Sequence, residues 1–132
     1  MSRGFDIVCG RQGTLYSTLI GPALVMCSAY IYGNEKEVGQ GLQTGMKELG
    51  LKREDIFVTT KLWNTFHESA EVEPALDAQL EDLDLEYVDL YLMHWPVALR
   101  KGVMSKQLNP DDFLDVSVEE TWKAMEKLVA TG

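Results

Sequence analysis

The chain has 132 residues, a net charge of −9 at pH 7 and an isoelectric point of about 4.6. An acidic chain without a basic stripe is not expected to bind nucleic acid or an anionic membrane surface. Its 45% hydrophobic and 25% charged residues are typical of a soluble globular protein, and its length suffices for one domain with one core.

Two features bear on the compartment in which the protein resides. Cys9 and Cys27 are its only cysteines, too few for a disulfide framework or a metal site, so we expect a reducing, cytoplasmic setting and no metal. Arg3 and Arg11 precede the apolar run "LIGPALVM" of residues 19–26, which loosely resembles a signal peptide. That run is too short to span a membrane and follows many polar residues, so a buried first strand is the favoured interpretation.

The first predicted strand lies within residues 19–29 and is weakened by Pro22. A helix is predicted next, with Asn34 capping its start and Gly50 ending it, because these residue types favour helix boundaries. Its apolar residues lie at intervals of four, four and three, which places them on one face. They are Val38, Leu42, Met46 and Leu49.

Two more strands flank a second helix. "IFVTTK", residues 56–61, is rich in β-branched residues and predicts a buried strand. "YVDLYLMHW", residues 87–95, predicts another strand, with Asp89 as its one charged interruption. The helix between them should hold Pro74 near its first turn, because proline further inside would break it. Its apolar face is predicted to be Val72, Leu76, Leu80 and Leu83.

A polar loop over about residues 96–115 precedes a third predicted helix. Ser117 and Glu120 have the spacing of a capping box at its start, and Gly132 lies where a C-cap glycine is expected. The apolar face of this helix is predicted to be Val118, Trp122, Met125 and Val129.

The alternation of strands and helices predicts βαβ units and a parallel sheet. No strand follows the third helix, although such a unit is normally completed by a strand beside its predecessor. This order leaves one sheet edge open, which favours self-association. We therefore expect the chain to form part of a larger sheet.

Three reactive side chains follow or close the predicted strands: Tyr32, Lys61 and His94. The carboxyl ends of parallel strands face the active site in such folds, so a hydroxyl, an ammonium and an imidazole are expected to converge. Taken singly, each has a structural interpretation as a packed tyrosine, a solvated lysine or a core histidine. Their coincidence at three strand ends favours a shared site.

The sequence around these residues resembles the aldo-keto reductase family in "AYIYGNEKEVG", "IFVTTKLWNTFH" and "YVDLYLMHWP". The resemblance covers roughly residues 29–132. Members of that family fold as a (β/α)8 barrel and reduce aldehydes and ketones with NADPH. The resemblance therefore implies a partial (β/α)8 TIM barrel, roughly its first half, with NADPH as cofactor and a small carbonyl compound as substrate.

The resemblance also implies roles for individual residues. Tyr32 matches the family's proton donor, Lys61 the lysine beside it, and His94 the histidine that orients the substrate carbonyl. Trp63 and Trp95 match aromatic residues that line the substrate pocket.

Cys27 departs from the family pattern, because it stands five residues before Tyr32 where the family has an aspartate. A thiol with a pKa of about 8.5 is mostly neutral and cannot hold Lys61 as a carboxylate does. A thiolate paired with Lys61 is one interpretation, and a buried, inert cysteine is the favoured one. The family's aspartate also contacts the cofactor ribose, so the resemblance assigns no cofactor-binding residue here.

The length of the chain keeps more than one function open. A complete (β/α)8 barrel has about 250 residues, so residues 29–132 would be a truncated domain after an atypical segment, residues 1–28. One interpretation is an NADPH-dependent reductase, and another is a non-catalytic half-barrel fragment or binding partner that cannot hold the cofactor. A third, a small doubly wound domain, needs a G-x-G-x-x-G phosphate loop, which "YGNEKEVGQG" does not supply.

Overall fold

A computed structural model describes residues 18–20, 23–104 and 107–131. Its main sheet has four strands in the order β1-β2-β3-β4, the first pair antiparallel and the following pairs parallel. The strands are β1 (Thr18–Ile20), β2 (Ala23–Cys27), β3 (Ile56–Leu62) and β4 (Leu90–Met93). The parallel β2, β3 and β4 confirm the predicted α/β class.

Three helices accompany this sheet. α1 (Glu35–Leu49) connects β2 to β3, and α2 (Ser69–Leu83) connects β3 to β4. α3 (Val118–Thr131) packs against α2. Within the described part of the chain, no helix is long and apolar enough to cross a membrane.

The core lies between the helices and one face of the sheet. β3 buries Ile56, Val58, Thr60 and Leu62, and its apolar members pack in clusters with residues of α1, α2 and α3. Side chains alternate across a strand, so Lys61 lies on the opposite face of the sheet. That face carries the candidate site.

The first strand differs from its prediction, because residues 19–29 do not form one continuous strand. β1 and β2 form an antiparallel pair in which Ile20 lies opposite Ala23. Pro22 and residues 1–17 lie outside the described residues, and with them much of the predicted atypical segment 1–28. β2 ends at Cys27, which leaves Ser28 and Ala29 to lead into the turn that carries Tyr32.

The strand predicted over residues 87–95 is shorter, because β4 spans only Leu90–Met93. Asp89 ends the pairing on the N-terminal side: its Oδ2 accepts hydrogen bonds from Val58 N at 2.8 Å and from Arg53 Nη2 at 2.7 Å. The Asp89 side chain thus takes the place of a backbone oxygen in the hydrogen-bond ladder with β3. Asp89, the charged residue within the predicted strand, therefore marks where β4 starts.

The region predicted as a polar loop, residues 96–115, contains a short antiparallel pair. β5 (Ala98–Leu99) pairs with β6 (Phe113–Leu114). Two-residue strands are too short to produce a period of two in the sequence, which is why the pattern missed them.

The predicted apolar faces of α2 and α3 are partly wrong. α2 buries Ala75 and Gln79 beside Val72 and Leu83, while Leu76 and Leu80 are only half-buried. On α3, Met125 is buried, but Val118, Trp122 and Val129 are exposed. Many of these apolar side chains line one open groove beside β4. The groove is lined by Leu76, Leu80, Tyr87, Val88, Leu90, Tyr91, Trp122, Met125, Leu128 and Val129, with acidic residues among them.

The predicted helix boundaries hold in part. Gly50 ends α1 with a φ of 67° and donates its N–H to Met46 O, as expected for a C-cap glycine. Asn34 precedes α1, but its side chain makes no capping hydrogen bond. Ser117 Oγ accepts from Glu120 N at 3.1 Å, as the capping-box spacing predicts. Pro74 lies in the second turn of α2, which continues through it, and Gly132 lies outside the described residues.

A close backbone contact between α1 and α2 yields the first testable prediction. A Cβ added at Gly39 would lie 2.5 Å from Leu83 O and 2.9 Å from Asp82 O. Backbone atoms cannot rotate away, so we expect Gly39→Ala to lower the free energy of unfolding by about 1–3 kcal/mol. The measurement is urea unfolding followed by circular dichroism.

Gly45→Ala is the matched control, because no atom lies within 4 Å of a Cβ added there. Alanine favours a helix over glycine by up to about 1 kcal/mol, so this variant should be neutral or more stable. Equal stabilities for the two variants would contradict the close approach of α1 and α2.

Candidate active site

The candidate site lies at the carboxyl ends of the parallel strands. Cys27 is the last residue of β2, Lys61 is the second-last of β3, and His94 directly follows β4. Cys27 lies opposite Thr59, and Lys61 lies opposite Leu92. Because parallel strands run in the same direction, these ends meet at one edge of the sheet.

A one-turn 3₁₀ helix, Tyr30–Tyr32, brings Tyr32 to this edge. Its turn is closed by hydrogen bonds from Tyr32 N to Ala29 O at 3.0 Å and from Gly33 N to Tyr30 O at 3.1 Å. Gly33 has a φ of 64°, a conformation that favours glycine, and this redirects the chain into α1. The ring of Tyr32 comes to lie with its centroid 5.5 Å from Lys61 Nζ.

Lys61 is half-buried beneath Tyr32. Its Nζ donates to Ser28 O at 2.8 Å and to Cys27 Sγ at 3.0 Å. Cys27 is disulfide-bonded in the structure, so its sulfur carries no charge, which excludes the thiolate interpretation for this state. Burial lowers the pKa of Lys61, and the charge of Glu35 opposes that shift. The site therefore holds a cation without a carboxylate at residue 27.

His94 also lies near Tyr32, with the two ring centroids 6.1 Å apart. Burial lowers the pKa of His94, and the charge of Lys61 lowers it further. His94 Nδ1 is buried and has no hydrogen-bond partner in the described part of the chain. A charged imidazole would leave a buried N–H unpaired, so both observations favour a neutral ring that donates one hydrogen bond.

Two tryptophans flank His94. Trp63 is buried, with its ring centroid 5.3 Å from that of His94. Trp95 is 48% exposed, and its ring lies 5.6 Å from Trp63 and 5.9 Å from His94, centroid to centroid. The structure thus brings all of the residues that the sequence named into one cluster.

In the described ranges no group of three or more His, Cys, Asp or Glu side chains could hold a metal ion.

Sequence reasoning missed one charged residue close to this cluster. Glu35 is 4% exposed, and Thr60 Oγ1 donates to its Oε1 at 2.6 Å. Glu35 lies in the first turn of α1, where acidic residues are common because they interact favourably with the helix dipole. No periodic pattern reveals a buried carboxylate, although its position three residues after Tyr32 was a signal.

Comparisons with known proteins identify the family. A family model described as "Aldo/keto reductase family" matches residues 27–132. The chain is 46% identical over 126 residues to aldo-keto reductase family 1 member A1 of Xenopus tropicalis, covering 92% of this chain and 38% of that protein. It is 50% identical over 110 residues to D/L-glyceraldehyde reductase of Hypocrea jecorina, covering 76% and 32%. The chain belongs to the aldo-keto reductase family.

Solved structures agree with this assignment. The aldose reductase of Schistosoma japonicum has a TM-score of 0.75 at 45% identity, covering 82% of this chain and 37% of that one. An aldo-keto reductase of Bombyx mori in complex with NADP has a TM-score of 0.71 at 38% identity, covering 82% and 33%. The described residues therefore form part of a TIM barrel. The chain spans about a third of the length of the curated relatives it matches.

The two histidines of the chain provide a prediction about pH. Burial lowers the pKa of both His67 and His94 from the ordinary value of 6.5. Both should therefore titrate below 6.5 in the native protein and be neutral at pH 7. A proton NMR titration of the imidazole Cε1–H signals measures this, with His94→Gln to assign them.

The lowered pKa values of the two histidines also determine the direction in which the stability of the fold changes with pH. The unfolded chain takes up these protons at a higher pH than the native chain. The contribution of the two neutral rings to stability is thus complete above about pH 6.5 and is lost as the pH falls below it. A His94 signal that titrates at or above 6.5 would contradict the buried, neutral ring.

Proposed function

We propose that this chain carries the carbonyl-reducing site of an NADPH-dependent aldo-keto reductase. One observation supports this most: the Lys61 ammonium and the His94 ring lie near the same tyrosine, Tyr32, at the carboxyl ends of neighbouring strands. A proton donor, a cation and a neutral hydrogen-bond donor are the groups that the reduction of an aldehyde or ketone needs.

Tyr32 is the proposed proton donor, and Lys61 is the residue that makes it effective. As a carbonyl becomes an alcohol, negative charge develops on its oxygen, and a proton must reach that atom. A tyrosine titrates near pH 10, too high for efficient proton transfer at neutral pH. An ammonium close to the ring favours the negative charge that the tyrosine carries once its proton has been transferred.

His94 is proposed to orient the substrate carbonyl. A neutral imidazole can direct one N–H at the oxygen on which charge develops. The rings of Trp63 and Trp95 supply apolar walls beside it, which exclude water and strengthen these interactions. The proposed substrate is a small carbonyl compound held against these rings.

The cofactor fits this set of residues less well than the substrate does. When bound, NADPH supplies the hydride. At residue 27, where the family pattern has an aspartate that contacts the ribose, the uncharged sulfur of Cys27 is a weak acceptor already in contact with Lys61 Nζ. We therefore assign no cofactor-binding residue within this chain.

The domain boundary and location are also proposals. We propose that residues 29–132 are the reductase-type part of the chain and that residues 1–28 are an atypical segment. We propose a cytoplasmic protein that binds neither nucleic acid nor membrane. Its acidic composition supports the absence of these partners, whereas the disulfide at Cys27 counts against the reducing setting expected from the cysteine count. Recovery of the native protein from a secreted or membrane fraction would contradict this.

The second candidate function is a non-catalytic half-barrel fragment or binding partner. One observation favours it: a sulfur, that of Cys27, lies beside Lys61 where the family pattern has a carboxylate. Fold alone does not imply catalysis, so the two candidates must be separated by cofactor binding.

Titration of the purified chain with NADPH, monitored by tryptophan fluorescence, separates them. Trp63 and Trp95 lie in the site, whereas Trp122 lines the open groove. If a cofactor site forms, quenching should saturate in the micromolar range, equivalent to about −8 kcal/mol. It should persist in Trp122→Phe and weaken in Trp95→Phe. No quenching in a folded sample would favour the fragment and remove the basis for ascribing reductase activity to this chain alone.

Tyr32→Phe tests the catalytic assignment in any preparation that binds NADPH and reduces an aldehyde. Loss of the proton donor should lower kcat by about 10²–10⁴-fold without changing the affinity for NADPH. Tyr30→Phe is the control, because the Tyr30 ring packs edge-on against Phe66, with centroids 5.0 Å apart. Activity that survives Tyr32→Phe would overturn the assignment.

We also propose that the chain self-associates through the edge of its sheet. In the described residues β4 pairs only with β3, and the open groove beside it exposes Trp122 and Leu90. Sedimentation velocity should reveal dimers or larger species that Trp122→Glu weakens. Leu49→Glu is the control, because Leu49 is exposed on α1 away from the groove. A single monomeric species at high concentration would contradict the proposal.

A further inference from the structure

A buried polar network lies behind the candidate active site, in the layer between the sheet and the helices. Its members come from α1, β3, α2 and β4, and Glu35, Thr60 and Gln79 are each at most 4% exposed. Buried polar groups are expensive unless they are hydrogen-bonded, so a cluster of this kind needs an explanation. The members are Glu35, Thr60, Gln79 and Tyr91, referred to here as the Glu35 network.

Hydrogen bonds link all of its members. Thr60 Oγ1 donates to Glu35 Oε1 at 2.6 Å, and Gln79 Nε2 lies 3.0 Å from Glu35 Oε2 and 2.8 Å from Thr60 Oγ1. Tyr91 OH donates to Gln79 Oε1 at 2.8 Å. The groups that contact Glu35 are donors, and a carboxylate only accepts, so the contacts favour the ionised form of Glu35.

The network touches every chain segment that carries a candidate catalytic residue. Glu35 lies three residues after Tyr32, Thr60 directly precedes Lys61, and Tyr91 lies three residues before His94. Gln79 Nε2 also lies 3.3 Å from the backbone oxygen of Lys61. One set of hydrogen bonds thus fixes the three segments relative to one another.

The charge of Glu35 is as important as its hydrogen bonds. Lys61 Nζ lies 3.0 Å from the sulfur of Cys27, and the rings of Tyr32 and His94 lie nearby. Burial lowers the pKa of Lys61, and the negative charge of Glu35 opposes that shift.

The other titratable groups near Glu35 either raise its pKa or have their own pKa shifted by its charge. Burial raises the pKa of Glu35, its bonds with Thr60 and Gln79 lower it, and the charge of Asp82 on α2 raises it. Burial and the Glu35 charge both raise the pKa of Tyr91, which keeps that hydroxyl protonated. Of the groups named here, Lys61 is the cation that the Glu35 charge can stabilise.

We propose that Glu35 is a positioning residue that holds the segments of Tyr32, Lys61 and His94 in register and supplies a negative charge that favours the protonated form of Lys61. This inference rests on the proposed function for its catalytic meaning. Glu35 acts through Lys61 and does not touch the reacting atoms. Because residue 27 is a cysteine, Glu35 supplies part of the negative charge near Lys61 that a carboxylate at residue 27 would supply.

The test measures the protonation of Lys61 directly, without any activity assay. Protein labelled with ¹³C at lysine Cε is titrated by NMR, and Lys61→Arg identifies the Lys61 signal. In Glu35→Gln, a variant of nearly the same shape, the Lys61 titration should move to lower pH. Glu37→Gln is the matched control, because Glu37 is an exposed acidic residue of the same helix, and it should leave Lys61 unchanged.

A second substitution separates charge from packing. Adding Cys27→Asp to Glu35→Gln places a carboxylate where Sγ now lies 3.0 Å from Lys61 Nζ, so the titration should return to higher pH. Cys27→Ser in the same background adds no charge and should not restore it. Both variants also remove the disulfide at Cys27, so a return with serine as well would mean that loss of the sulfur and its disulfide, and not the added charge, is responsible.

Several outcomes would overturn the proposal. If Lys61 titrates identically in the wild type and in Glu35→Gln, Glu35 has a structural role only. Glu35→Met is the alternative if glutamine at this position does not fold, and failure of both to fold would make Glu35 a folding residue. Because NADPH binding is measured separately, the inference and the proposed function can fail independently.

Discussion

The partial burial of the Lys61 ammonium is the constraint on which the candidate site depends. A charge taken out of water is costly unless other groups replace its hydration. Here the replacements come from Ser28 O, from the sulfur of Cys27 and, at longer range, from the Glu35 carboxylate. Cys27 and Ser28 lie at the end of β2, Glu35 lies on α1 and Lys61 itself lies on β3, so the position of Lys61 links these three elements.

That constraint also explains how the remaining residues of the site are arranged. The turn closed at Gly33 directs Tyr32 towards the ammonium, and the short β4 ends where His94 enters the same space. Burial and the nearby Lys61 charge both lower the pKa of His94, which favours the neutral ring. The proposed proton donor and the proposed hydrogen-bond donor thus have different surroundings.

Much of this arrangement could be predicted from the sequence, because it depends on local patterns. The β-branched run of β3 and the placement of Tyr32, Lys61 and His94 at strand ends were sufficient for the parallel sheet and the cluster. The burial of Glu35 and the faces of α2 and α3 were not predictable in the same way. They depend on which surfaces meet in space, and Trp122 is apolar yet exposed because nothing in the described residues covers it.

The open groove beside β4 has a consequence for the ionic conditions under which two copies could meet. Besides its apolar residues, it is lined by Glu73, Asp77, Glu86, Asp89 and Glu126, and none of the described residues that line it is a lysine or arginine. Two such surfaces repel each other at low ionic strength. Salt at physiological concentration screens charges beyond about 8 Å and so weakens this repulsion. The proposed association of copies through the groove should therefore depend on the electrolyte around it, and added salt should strengthen it.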